Sequence, residues 1–83
     1  MPIAIAVECK ATDNDRLLPS VVKPQQRAHL KACYPFGYVL VWFTQVQTVR
    51  LVPWHTVKDR VSIRPTDGHE VSLSDFLRPL LTP

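Results

Sequence analysis

The sequence predicts a small mixed α/β sheet organised around a strand–helix–strand crossover. Three observations lead there. Residues 3–10 alternate with a period of two, a helix-forming stretch opens at Pro24, and residues 38–44 form an apolar run rich in β-branched and aromatic side chains. Eighty-three residues make a single domain, residues 1–83, with a thin core. Hydrophobic residues are 46% and charged residues 20%, which places the chain among globular rather than disordered sequences.

Within the first segment, Ile3, Ile5, Val7 and Cys9 point one way and Ala4, Ala6, Glu8 and Lys10 the other. Both faces are apolar as far as Val7, so this strand is expected to be covered on both sides. Residues 11–20 contain Thr-Asp-Asn-Asp and read as a loop. Pro24 suits the first turn of a helix over residues 25–33, with Gln26, Leu30 and Cys33 on one face. Pro35 and Gly37 end it. Residues 38–44 read as a central strand, and residues 47–52 as its partner across a tight turn near Gln45. Residues 54–60 suit a short helical turn. Residues 61–64 and 70–73 flank Thr-Asp-Gly, a hairpin signal. Ser74 offers an N-cap for a last helix at residues 75–77, which Pro79 limits or kinks.

Composition excludes several classes of function. Only two glycines stand against eight prolines, which leaves no Gly-rich phosphate loop. Cys9 and Cys33 make neither a disulfide scaffold nor a zinc knuckle, and read as reduced, largely buried thiols. His29, His55 and His69 lack metal-ligand spacing. No apolar run is long enough to span a bilayer, and the N-terminus lacks the basic region of a signal peptide, so a cytoplasmic protein without membrane attachment is expected. The formal net charge of +3 permits a polyanionic partner without requiring one.

The segment that carries chemistry is Val7-Glu8-Cys9-Lys10. Glu8 and Lys10 lie two apart on a strand, so their side chains leave from one face. A carboxylate and a neighbouring backbone carbonyl can hold a hard divalent cation, and a lysine beside them can orient a water or balance phosphate charge. Taken alone, Glu-x-Lys is an ordinary same-face charge pair contributing about 0.5 kcal/mol. Here it is followed in order by a loop, Gln26 opening a helix, Leu30, Gly37 and an apolar strand.

That order and spacing resemble the PD-(D/E)XK nuclease superfamily, most closely the RecU-type Holliday-junction resolvases, with much in common with the archaeal resolvases and the small VRR-NUC nucleases. The resemblance covers residues 3–52 and leaves residues 53–83 as a C-terminal hairpin and short helix. It implies a minimal restriction-endonuclease-like fold and hydrolysis of phosphodiesters in branched or structured DNA, in recombination or repair, with Mg²⁺ or Mn²⁺. Glu8 matches the metal-binding acid, the Cys9 carbonyl a backbone ligand, Lys10 the lysine that positions water, and Gln26 the helix glutamine aimed at the site. Arg16, Lys23, Arg27 and Lys31 would then contact the phosphate backbone.

The family also keeps an aspartate on the strand before its Glu-x-Lys. Only seven residues precede Glu8 in this sequence and none is acidic. The chain is therefore expected to be truncated and inactive, to be completed by a second subunit, or to use Asp13, Asp15 or Glu70 instead. Its alternative function is that of a catalytically inactive remnant acting as a DNA-binding or protein-interaction module. A third reading has no link to the family: an assembly domain in which Glu8 and Lys10 are only a charge pair, which side chains pointing into solvent away from Gln26 would support. A homodimer is expected from the resemblance and from the sheet edges so short a chain leaves open. Trp42 reads as core. Trp54 reads as a core or interface aromatic, or as a base-stacking one.

Overall fold

The computed structural model describes residues 4–57 and 60–81. A four-stranded mixed sheet runs in the order β1 (Ala6–Thr12), β2 (Gly37–Phe43), β3 (Thr48–Pro53), β4 (His69–Val71). β1 and β2 are parallel, joined through α1 (Pro24–Ala32), while β3 and β4 follow as antiparallel neighbours. A 3₁₀ turn (Pro19–Val21), α2 (Trp54–Val57) and α3 (Leu73–Leu81) complete the described elements. No helix among the described residues is long and apolar enough to cross a membrane.

The small mixed sheet with its helix crossover is as the sequence predicts. Lys23 is extended, Pro24 fixes the first helical φ, and α1 then runs to Ala32. Leu30 on its inner face is buried, and Cys33 packs against the same core. Gly37 begins β2 directly beneath that turn. A Cβ there would press into the Leu30 carbonyl, so the absent side chain is what lets α1 sit close to the sheet.

The main core fills this helix-covered face. Val39, Val41 and Phe43 of β2 and Val52 of β3 meet Leu17, Val22, Leu30, Trp54, Val57 and Ile63. Trp54 is a core residue. The opposite face is covered only in part. Val49 is fully buried there, and Phe76 of α3 lies against Trp42 with ring centroids 5.9 Å apart.

Four expectations need correction. β1 is not covered on both sides: Ile5 is 65% and Val7 47% exposed. An apolar side chain at the rim of a small sheet has no second layer to meet. Cys9, on the same face, is an exposed thiol rather than a buried one. The Thr-Asp-Gly turn does not join two strands to each other. Ile63 instead forms a bridge with Leu17, and β4 pairs with β3. The turn is held by Arg50, which donates to the carbonyls of Thr66, Asp67 and Gly68, and by Asp67, which accepts from the Arg64 N–H. Finally, the last helix starts earlier than Ser74 suggests. Ser72 takes the cap position, its carbonyl accepting from the Phe76 N–H, and the helix passes through Pro79 to Leu81.

Candidate functional site

Glu8, Lys10 and Gln26 come together under the N-terminal turn of α1. On β1, Ala6, Glu8, Lys10 and Thr12 share the face that α1 covers, opposite Gly37, Val39, Val41 and Phe43 of β2. Small Ala6 and glycine at position 37 leave room for the helix, and Glu8 follows where its first turn begins. Lys10 lies one strand position pair further along.

Gln26 joins helix to strand through both ends of its amide. Its Oε1 accepts from the Lys23 backbone N–H at 2.9 Å, and its Nε2 donates to Glu8 Oε1 at 2.9 Å. The partners settle which end is which, since a backbone N–H only donates and an ionised carboxylate only accepts. Lys10 Nζ lies 3.8 Å from the same Glu8 oxygen. Glu8 and Lys10 are 29% and 21% exposed, so the pair is partly withdrawn from water yet open to a ligand. Glu8 Oε2 has no partner among the described residues.

A carboxylate oxygen is the kind of donor a hard cation such as Mg²⁺ or Mn²⁺ takes. Mg²⁺ keeps several waters and is often held by one or two carboxylates together with substrate phosphate; here the protein offers one free carboxylate oxygen, Glu8 Oε2. The Cys9 carbonyl points to the outer edge of β1, in the plane of the sheet, while the Glu8 side chain leaves on the face under α1. No group of three or more His, Cys, Asp or Glu side chains with metal-holding geometry occurs among the described residues. Asp13 and Asp15 are exposed in the loop after β1, with Asp15 beside Arg16. Glu70 lies opposite Arg50 on β4, at the far side of the sheet from β1. None of the three joins Glu8.

The four basic residues divide. Lys23 is exposed at the start of α1, next to Gln26. Arg16 is exposed in the loop beyond β1. Lys31 lies at the other end of α1, on the wall of a pocket with Tyr34, Trp54 and His55. Arg27 has a structural task. Its Nε donates to the Val22 carbonyl at 2.7 Å, its guanidinium NH2 to the Pro19 carbonyl at 3.0 Å, and its plane lies over Trp54 at 5.8 Å. It thereby binds the loop before α1 to the helix and the core. A cation four residues before Lys31 carries no sequence signal that would separate this role from phosphate contact.

No family model, no curated protein and no solved structure matches this chain.

Proposed function

We propose that this chain is a metal-dependent DNA endonuclease domain of the PD-(D/E)XK type, acting on phosphodiesters in branched or structured DNA. The observation that supports it best is the bond from Gln26 to Glu8 across eighteen residues of sequence. The expected helix glutamine meets the expected acid, with the expected lysine on the same oxygen. The assembly-domain reading would have been supported by Glu8 and Lys10 turned away from Gln26, and Glu8 instead accepts a hydrogen bond from it.

Glu8, through Oε2, and the Cys9 carbonyl would hold the metal. When bound, it supplies charge neutralisation at the phosphate and acidifies a coordinated water. Lys10 places an ammonium beside the carboxylate, where it orients the attacking water and balances negative charge developing on the phosphate. Gln26 Nε2, donating to Glu8 Oε1, holds the carboxylate in one orientation. Lys23 and Arg16 offer exposed cations to the DNA backbone, and Lys31 reaches it only if the strand extends along α1.

The test is cleavage of a four-way DNA junction in Mg²⁺. Glu8→Ala and Lys10→Ala are each expected to abolish cleavage while far-UV circular dichroism stays unchanged. Full activity in either variant removes the assignment.

A second reading is favoured by one observation: no other carboxylate joins Glu8 among the described residues. On it, the chain keeps this fold as a non-catalytic DNA-binding or protein-interaction module. Titration calorimetry with Mn²⁺ separates the two. Stoichiometric binding lost in Glu8→Ala supports the enzyme, and no binding at millimolar metal supports the module.

A further inference from the structure

We propose that a second copy of this chain pairs antiparallel along the outer edge of β1, with Cys9 on the two-fold axis. This goes beyond the nuclease reading and does not depend on it.

The direction of the backbone groups comes first. In a strand, the N–H and C=O of one residue leave on the same side, and successive residues alternate. The Ala6 N–H bonds to the Phe36 carbonyl at 3.0 Å, and the Thr12 carbonyl accepts from the Thr44 N–H at 2.9 Å. The even-numbered residues of β1 are thus joined to β2. Val7, Cys9 and Ala11 direct their N–H and C=O groups outward, where no strand among the described residues meets them. β1 is seven residues long and contains no proline. Its lysine lies on the face under α1, in contact with Glu8, rather than guarding the edge. Such an edge is a template for another strand.

Charge then selects the register. Outward-pointing residues must meet outward-pointing residues. An axis at residue 8 sets Glu8 against Glu8, and an axis at residue 10 sets Lys10 against Lys10. An axis at residue 7 or 11 sets Glu8 opposite Ala6 or Asn14 and carries the pairing past an end of β1. With the axis at Cys9, Val7 pairs with Ala11, Cys9 with Cys9 and Ala11 with Val7, each exchanging both hydrogen bonds. Glu8 then lies opposite Lys10 of the second copy, twice, in the narrow pairs where side chains approach most closely. Each Glu8 would have a lysine from its own chain and one from the other.

The open face supports the same arrangement. Ile5, Val7 and Cys9 are exposed there. Pairing continues that apolar surface across both copies and places Val7 against Ala11. It also uses the Cys9 carbonyl, so a metal at Glu8 and the second copy compete for that oxygen.

Sedimentation velocity of the full chain in EDTA, over a concentration series, is expected to show a monomer–dimer equilibrium. Glu8→Lys and Lys10→Glu each place like charges opposite one another and are expected to weaken the dimer about tenfold or more, while the double exchange restores it. In Cys33→Ala protein, a short bismaleimide is expected to link two chains through Cys9, whose backbones sit ~5.5 Å apart in such a pair. A monomer at every concentration overturns the proposal. So does a dimer indifferent to both single reversals, or one that Cys9 cannot link. Should the single reversals unfold, the cross-link and the double exchange still decide. Repeating the sedimentation in Mn²⁺ keeps the two readings apart: a dimer unchanged by metal counts against the metal site and leaves the pairing standing.

Discussion

Gln26 satisfies two groups that would otherwise compete for water, the first free N–H of a helix and a half-buried carboxylate. Gln26→Ala removes both bonds and is expected to lower stability by about 2 kcal/mol, read from urea unfolding. Gln26→Glu is the sharper change. It retains an acceptor for Lys23 but sets a second carboxylate against Glu8. Two facing carboxylates bind a proton more tightly in the folded state than in the unfolded one. Stability of that kind is present at low pH and lost as pH rises, so the deficit against the native protein is expected to be larger at about pH 7 than at about pH 4. At Gly37 the constraint is steric. Gly37→Ala drives a methyl group into the Leu30 carbonyl and is expected to cost about 3 kcal/mol, visible as a lower melting temperature. The roles of these residues were legible to different degrees. Glu8, Lys10 and Gln26 are legible because strand and helix periods put them on defined faces. Arg27 is not, because an arginine's carbonyl partners depend on where a loop folds back.

Among the elements, the crossover β1–α1–β2 follows from local signals that agree: period-two alternation, proline at a helix start, and a β-branched run. β4 does not follow from such signals. The Thr-Asp-Gly turn specifies a reversal but not which strand receives the returning chain. Its three residues pair with β3 because Arg50 gathers the turn's carbonyls on one side. Coverage of β1 was equally hidden, since an apolar residue reads the same whether a second layer exists or not. α3 covers part of the open face through Phe76 against Trp42. The Trp42 indole N–H is buried there without a hydrogen-bond partner among the described residues, so packing rather than polar bonding holds this contact. Phe76→Ala is expected to cost about 2 kcal/mol and to shift Trp42 fluorescence to longer wavelength as water reaches the ring.

At the scale of the whole molecule, one sheet carries a filled face and a mostly open one. The catalytic candidates lie at the rim of the filled face, on the terminal strand. Few cations there are free of other duties: Arg27 is occupied by carbonyls and Trp54, and Arg16 has Asp15 beside it. DNA binding, measured by fluorescence anisotropy across a salt series, is therefore expected to depend on salt with a logarithmic slope of about −2 to −3, fewer phosphates than four basic residues would suggest. Lys23→Ala is expected to reduce that slope by about one.

The two-ended bond of Gln26 also makes the Lys23 amide a reporter. Whatever takes hold of Glu8, whether a proton, a metal or a neighbouring chain's lysine, changes how firmly that carboxylate holds Gln26. The strength of the Gln26 bond to Lys23 changes with it. Hydrogen exchange at one backbone amide at the head of α1 would then follow occupancy at the strand below, without a label in the site itself.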